Sequence, residues 1–143
     1  MPLTIPGSKV LDSWAMIAWA ADEPGAAATQ EFLDQAESGG LRLLMSVLNV
    51  GETFYILAKR RGMAVAEEFL NALPSLPVHI DLPDQEGVMA AARIKASRAV
   101  AYGDSFAIAL AQATDSSVIT GDNEIRECNL VPVDWIGGSH LQA

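Results

Sequence analysis

Short apolar runs alternate with longer segments of helical spacing along the chain. The short runs predict five strands, at residues 8–11, 41–45, 78–80, 117–120 and 130–135. Between them, apolar side chains recur every three or four residues, which is the spacing of a helix with one buried face. The predicted helices cover residues 13–21, 26–37, 47–61, 64–73, 84–97 and 103–114, with a short turn at 123–127.

This alternation predicts the fold class. Strands separated by helices of about ten or more residues require crossover connections, and such connections join parallel strands. We therefore expect a three-layer α/β/α sandwich with a mostly parallel sheet of about five short strands. The 143 residues, 50% of them hydrophobic, suit one domain with a single core region. In sheets of this kind, ligands bind beyond the carboxyl ends of the strands.

Charge and cysteine content narrow the functional classes. Nine Lys and Arg against 18 Asp and Glu give a net charge of −9, which disfavours nucleic-acid binding through a broad basic face. The apolar stretches are shorter than the roughly 20 residues of a membrane-spanning helix, and the N-terminal residues do not resemble a signal peptide. A single cysteine, Cys128, is typical of a reducing compartment. We expect a cytoplasmic protein without a membrane segment.

Four carboxylates occupy unusual positions. Asp12, Glu52 and Asp104 are each the only charged residue of an apolar run, and Asp122 follows the fourth predicted strand. Asp12 and Asp122 lie at strand carboxyl ends and Asp104 opens a predicted helix, so the fold predicts that these acids meet at one sheet edge. Helix N-capping is an alternative for the three aspartates, because Asp is a preferred N-cap residue.

Glu52 does not fit the capping alternative, because it lies about one turn inside a predicted helix. Its neighbours Phe54, Tyr55 and Leu57 are of the type found in cores, where an unpaired carboxylate costs several kcal/mol or becomes protonated. Residues 43–58 contain no Lys or Arg to pair with it, which leaves a distant partner such as Arg93 as an alternative.

Four carboxylates at one edge would not all ionise without a counter-charge, so the pattern predicts a bound divalent cation. Ligation by oxygen alone suits Mg²⁺ or Mn²⁺. Zinc is disfavoured, because its softer ligands are sparse. We interpret His79, His140 and Cys128 as structural or incidental.

Four segments in this order resemble a PIN domain, and most of all the VapC-type toxins of prokaryotic toxin–antitoxin pairs. They are Val10-Leu11-Asp12-Ser13, Asn49-Val50-Gly51-Glu52, Tyr102-Gly103-Asp104-Ser105-Phe106-Ala107 and Ile119-Thr120-Gly121-Asp122-Asn123. Each segment alone is weakly diagnostic, whereas the ordered set is specific. The resemblance implies one PIN-like domain over residues 1–143, with a core at about 9–136 between a short leader and a tail.

The resemblance further implies a metal-dependent endoribonuclease whose acidic quartet is Asp12, Glu52, Asp104 and Asp122. Asp12 and Asp104 are expected to be the most direct ligands of one or two Mg²⁺ or Mn²⁺ ions. Ser13, Asn49 and Thr120 are expected to support the site by orienting ligands or water. Hydrolysis of an RNA phosphodiester at such a site leaves 5′-phosphate and 3′-hydroxyl ends.

Nearby cations suggest substrate contacts, and the resemblance implies protein partners. Lys95 and Arg98 are candidates for binding the RNA backbone, since they precede Asp104 in the sequence. The family implies a small cognate antitoxin that inhibits the enzyme, and a homodimer. Trp14 and Trp19 on the first helix are interpreted as core residues, with a protein interface as the alternative.

Two other functions remain open at this stage. The first is a catalytically inactive PIN-fold module that binds RNA or protein, and the presence of all four acids disfavours it. The second is a metal-dependent phosphoesterase that acts on another substrate, because carboxylate-bound metals serve many phosphoryl reactions.

Overall fold

The computed structural model describes residues 7–138 and contains one five-stranded sheet with the strand order β3-β2-β1-β4-β5. The strands are β1 (Ser8–Leu11), β2 (Arg42–Ser46), β3 (Val78–Asp81), β4 (Ser117–Thr120) and β5 (Val133–Trp135). Every neighbouring pair is parallel, as expected for strands joined by helical crossovers. The predicted α/β fold is confirmed.

The described residues form seven α-helices. They are α1 (Ser13–Ala20), α2 (Ala26–Glu37), α3 (Val47–Arg61), α4 (Met63–Ala72), α5 (Gln85–Ser97), α6 (Tyr102–Ala113) and α7 (Asn123–Cys128), with a 3₁₀ turn at Leu73–Ser75. At the start of α3, the Ser46 hydroxyl accepts the N–H of Leu48 at 3.3 Å, which satisfies one of the free donors of the first turn. Gly62 ends α3 with a positive φ of 98°, a conformation that favours glycine.

Alternate strand residues pack into two cores, one on each face of the sheet. Leu11 and Ile119 belong to the core covered by α1 to α4, whereas Val10 and Val118 belong to the core covered by α5 to α7. Successive side chains of a strand point to opposite faces, so β1, β2 and β4 each contribute to both cores. The three layers of the sandwich follow from this alternation.

Some predicted boundaries were wrong. Residues 123–127, predicted as a turn, lie within α7, which is capped by Asp122. β5 begins at Val133 rather than at residue 130; the preceding Pro132 has no N–H to donate to a neighbouring strand. β2 ends one residue later than predicted, because Ser46 still pairs with Asp81 of β3.

The sheet order creates a crevice between β1 and β4. The chain proceeds from β1 to β2 on one side and later from β4 to β5 on the other, so the strand order reverses between these two central strands. Such a reversal opens a ligand crevice at the carboxyl ends of the strands. Leu11 pairs with Ile119, so the next residues, Asp12 and Thr120, face each other at this crevice.

Within residues 7–138, no helix is both long and apolar enough to cross a membrane. His140 lies outside the described residues.

Candidate metal centre

Asp12 is fixed at the end of β1 by hydrogen bonds to both of its carboxylate oxygens. Oδ1 accepts the N–H of Ala15 at 2.9 Å, and Oδ2 accepts the hydroxyl of Thr120. The same Thr120 oxygen accepts the N–H of Asp122 at 2.9 Å. Asp12 is only 1% exposed, yet each of its oxygens keeps a further lone pair for a ligand. Asp12 therefore caps α1 and faces the crevice at the same time.

Three carboxylates come together on the α6 and α7 side of the crevice. Oxygen atoms of Asp104, Asp122 and Glu124 all lie within 4.8 Å of one another. Asp122 caps α7 by accepting the N–H of Glu124 at 2.8 Å. Asp104 does not open its helix as predicted, because the N-cap of α6 is Ala101 and Asp104 is the third helical residue. The capping alternative therefore holds for Asp12 and Asp122 and is wrong for Asp104.

Glu124 is a member of this group that the sequence reasoning missed. Isolation in an apolar run does not distinguish Glu124, because this residue lies in a polar segment with Asp122 and Asn123. The sequence feature that points to Glu124 is its position two residues after Asp122. A residue at an N-cap and one in the first turn of the same helix lie close together, so both carboxylates can point at one crevice.

Glu52 reaches the crevice from α3 and rests against α6. The Nδ2 atom of Asn49 donates to Oε1 of Glu52 at 3.2 Å and to the carbonyl of Gly103 at 2.9 Å. A Cβ atom at Gly103 would lie 2.7 Å from Oε1 and 2.8 Å from Oε2 of Glu52. Only glycine permits this close approach. Asn49 is fully buried, and its Oδ1 has no hydrogen-bond partner among the described residues.

Glu52 therefore depends on Asn49 for its orientation and has no cationic partner. Within residues 7–138 it forms no ion pair, so the alternative of a bridge to Arg93 is wrong. Tyr55, expected to be a core neighbour, is 51% exposed. Glu52 itself is half-buried and lies at the edge of the crevice.

Burial and mutual repulsion shift the ionisation of the buried acids. Burial raises the pKa of Asp12 to about 7, against the hydrogen bonds from Thr120 and Ala15, and the charges of Asp122 and Glu52 add to the rise. The pKa of Asp104 is raised to about 8 by burial, by repulsion from and hydrogen bonding with Asp122, and by repulsion from Asp12 and Glu52. The four predicted acids thus interact electrostatically as one group.

This arrangement fits a hard divalent cation. The donors are carboxylate oxygens, which Mg²⁺ and Mn²⁺ prefer. A cation would favour the charged forms of Asp12 and Asp104, whose pKa values are raised in its absence. The Oδ1 of Asn49 is buried without a hydrogen-bond partner among the described residues, and the space at Gly103 is filled by the carboxylate of Glu52, so both features concern how Glu52 is held at this site. Asp104, Asp122 and Glu124 could hold such an ion, and the roles of Asp12 and Glu52 as metal ligands stay predictions.

The other predicted site residues have defined contacts. Ser13 is buried next to Asp12 as the first residue of α1. Lys95 donates to the carbonyl of Val100 at 2.9 Å, and Arg98 donates to the carbonyl of Cys128 at 2.9 Å. The first bond holds the segment before α6 and the second joins the end of α5 to the end of α7, and a contact of Lys95 or Arg98 with RNA stays a prediction.

The two tryptophans of α1 are half-buried. Trp14 packs against Gly121, the residue between Thr120 and Asp122. Trp19 donates to Oε1 of Gln30 at 2.8 Å. These contacts agree with a packing role, and an interface role stays a prediction.

The candidate soft ligands are not gathered at the crevice. His79 is exposed on β3, and Cys128 is buried at the end of α7, where its thiol donates to the carbonyl of Ile125 at 3.0 Å.

Comparison with known proteins gives a family and a fold. The PIN domain family profile matches residues 9–129, whereas no curated protein sequence is significantly similar. VapC20 of Mycobacterium tuberculosis, a toxin described as cleaving the sarcin-ricin loop, is 15% identical with a TM-score of 0.72, over 86% of this chain and 96% of that chain.

Two protein–DNA complexes are similarly close in fold. VapBC2 of Rickettsia felis, bound to a promoter DNA fragment, has a TM-score of 0.70 at 11% identity, over 89% of this chain and 97% of that chain. DNA-bound VapBC of Salmonella typhimurium has a TM-score of 0.69 at 15% identity, over 90% and 97%. At these identities the likeness establishes the fold. The resemblance inferred from the four sequence segments is thereby confirmed.

Replacement of Asp104 by Asn is expected to stabilise the protein in EDTA at pH 8, and to have little effect near pH 4. The raised pKa of Asp104 means that the folded protein binds this proton more tightly than the unfolded chain does. This tighter proton binding stabilises the folded state. The stabilisation is complete at a pH below 3.8, the ordinary pKa taken for the unfolded chain, and is lost as the pH rises to about 8, the pKa in the folded protein. The Asn side chain does not ionise. The free energy of unfolding at pH 8, measured with urea, should therefore be at least about 1 kcal/mol higher for the variant than for wild type.

The control for this measurement is Glu67→Gln, which removes one negative charge from the exposed face of α4. It should change the free energy of unfolding by less than about 0.5 kcal/mol at either pH. An Asp104→Asn variant that is no more stable than wild type at pH 8 would contradict the electrostatic description of the site.

Gly103→Ala is expected to weaken Mn²⁺ binding about tenfold while changing the free energy of unfolding by less than about 1 kcal/mol. The added methyl group must displace the carboxylate of Glu52, which is the mobile end of a side chain. Titration calorimetry with Mn²⁺ and urea unfolding measure the two effects separately. Gly51→Ala is the matched control, because nothing lies within 4 Å of a Cβ there. Equal Mn²⁺ affinity in the two variants would show that the close approach of the Glu52 carboxylate to Gly103 does not contribute to Mn²⁺ binding.

Proposed function

This chain belongs to the PIN domain family, and we propose that it is a metal-dependent endoribonuclease, a VapC-type toxin restrained by a cognate antitoxin. The observation that carries the proposal is the convergence of the four predicted acids, joined by Glu124, at the carboxyl ends of β1 and β4. The cofactor proposed for this cluster is Mg²⁺ or Mn²⁺.

Each acid of the cluster has a distinct task in this proposal. Asp104, Asp122 and Glu124 offer the closest set of oxygens and would hold the ion. Asp12 faces them with its orientation set by Thr120, and Glu52 faces them with its orientation set by Asn49. A divalent cation bound there supplies Lewis-acid chemistry, lowering the pKa of a water molecule and neutralising the charge of the phosphodiester.

The charge of the protein makes cation binding a precondition for substrate binding. With a net charge of −9 and several carboxylates in one crevice, the site without a cation repels phosphate. A divalent ion would offset part of this negative charge and present a positive centre to a phosphate oxygen. We therefore propose that a cation held by Asp104, Asp122 and Glu124 would allow an RNA phosphate to bind at this site, and that in-line attack by water would leave 5′-phosphate and 3′-hydroxyl ends.

The partners are proposed from the relatives of similar fold. Several of these are VapBC structures from toxin–antitoxin systems, which supports an antitoxin as the inhibitor. The sarcin-ricin loop cleavage ascribed to VapC20 supports RNA as the substrate class. A homodimer is proposed on the family resemblance alone. A cytoplasmic location is proposed on the single cysteine, Cys128.

The first test is independent of the RNA sequence that is cut. Mn²⁺ at about 100 times its dissociation constant should stabilise the wild-type protein by roughly 2.7 kcal/mol, measured by thermal unfolding of the metal-stripped protein. Asp12→Asn and Asp104→Asn should each abolish this gain, whereas Glu67→Gln should keep it. If Mn²⁺ has no effect on the wild type, the inactive binding module becomes the preferred function.

The second test addresses the reaction itself. Wild-type protein with Mn²⁺ should cleave single-stranded RNA in preference to DNA, and EDTA should stop the cleavage. Mass spectrometry of the fragments should show 5′-phosphate and 3′-hydroxyl ends. Cleavage that survives EDTA and leaves 2′,3′-cyclic phosphates would overturn the proposed mechanism, and preferential cleavage of DNA or of a phosphomonoester would overturn the substrate class.

A further inference from the structure

Arg126 is a cation held beside the acid cluster without a carboxylate partner. Its Nη2 donates to Oδ1 of Asn123 at 2.7 Å, and Asn123 lies between Asp122 and Glu124 in the sequence. Although acidic residues surround it on α7, Arg126 forms no ion pair with any carboxylate of residues 7–138. Its guanidinium therefore keeps its charge available next to the crevice.

An indole ring fixes the position of this guanidinium. The Cζ atom of Arg126 lies 4.0 Å from the ring centroid of Trp135 on β5. Trp135 is in register with Thr120, the residue that orients Asp12. The indole N–H donates to the carbonyl of Gly138 at 2.8 Å, so the ring is itself held in place. The stacked pair thus lies at the same sheet edge as the acids.

The guanidinium of Arg126, stacked on Trp135, can donate hydrogen bonds to a phosphate oxygen. A guanidinium has five N–H donors in a planar fork, and the bond to Asn123 uses one nitrogen. Stacking on an indole occupies the face of the guanidinium and leaves its edge free to donate. A pre-oriented donor loses less side-chain entropy on binding than a mobile one.

Other cations of the described chain are already engaged. Lys9 pairs with Asp134, and Arg60 and Arg61 both lie near Glu23. Lys95 and Arg98 donate to backbone carbonyls. Lys95 and Arg98 form no ion pair within residues 7–138 either, but Arg126 differs from these five in being held by Asn123, the residue between Asp122 and Glu124.

We propose that Arg126, stacked on Trp135, binds a backbone phosphate of single-stranded RNA next to the phosphate that occupies the acid cluster. This inference rests on the proposed nuclease function and adds the substrate contact that an acidic crevice lacks. A phosphate contact positions a strand without reading its sequence. Arg126 is therefore a binding residue that acts on RNA of any sequence.

The experiment compares the binding of a fluorescein-labelled 20-nucleotide single-stranded RNA by wild type, Arg126→Ala, Arg126→Lys and Arg42→Ala. Fluorescence anisotropy is measured at several KCl concentrations with Ca²⁺, which takes oxygen ligands as Mg²⁺ does but with looser geometry. A gel verifies that the RNA stays intact. Arg42 is exposed at the first residue of β2, at the opposite edge of the sheet, so Arg42→Ala removes the same charge far from the crevice.

Arg126→Ala should weaken binding about tenfold and lower the slope of log K against log salt concentration by about 0.7, the value for one phosphate contact on a single strand. Arg126→Lys keeps the charge without the planar stack and should keep the slope while recovering part of the affinity. Arg42→Ala should stay within about twofold of wild type. The stabilisation of Arg126→Ala by Mn²⁺ should be no smaller than that of wild type, because loss of a nearby positive charge does not weaken cation binding; this result excludes damage to the acid cluster as the cause of weaker RNA binding.

Two results would overturn the role of Arg126 without affecting the proposed nuclease function. One is an RNA affinity of Arg126→Ala equal to that of wild type, and the other is an equal loss of RNA affinity in Arg126→Ala and Arg42→Ala. Failure of the wild-type protein to bind the RNA would overturn the inference together with the proposed substrate class. The two failures are therefore distinguishable.

Discussion

Burial of two carboxylates, Asp12 and Asp104, beside other acids at the carboxyl ends of β1 and β4 is the constraint on which this molecule depends. Asp12 is 1% exposed and Asp104 is 5% exposed, and like charges in such positions repel strongly. Hydrogen bonds from Thr120 and Ala15 offset part of the cost for Asp12. The pKa values of both acids nevertheless stay raised, so the crevice favours either bound protons or a bound cation. This balance makes the acid cluster a ligand site as well as part of the fold.

The fold holds the cluster together with contacts between distant parts of the chain. Asn49 on α3 bonds to the carbonyl of Gly103 on α6, which brings Glu52 to the aspartates. The hydroxyl of Thr120 joins the end of β4 to Asp12 at the end of β1. A cation at this point would link elements from both helical layers and both central strands. Its binding should therefore stabilise the whole domain, since a ligand that binds only the folded state stabilises that state.

Much of the architecture was predictable because the relevant patterns are local. Strand and helix periods gave five strands and six of the seven described helices, and isolated charges pointed to Asp12, Glu52 and Asp104. The rest depends on contacts between residues far apart in the sequence. The second bond of Asn49 reaches Gly103 across 54 residues, and the stacking of Arg126 on Trp135 depends on how α7 lies against β5. Glu124 was missed for another reason, because an acid among polar neighbours looks like an ordinary surface residue.

The most direct test of a metal centre is to locate Mn²⁺ by its anomalous scattering in a crystal of the wild-type protein. If the acid cluster binds metal, an anomalous peak from Mn²⁺ is expected in contact with the carboxylates of Asp104 and Asp122, between α6 and α7. The peak is also expected to be lost in crystals of Asp104→Asn grown under the same conditions. An empty cluster in Mn²⁺-soaked wild-type crystals, or a peak bound at another site, would contradict a metal centre at the acid cluster.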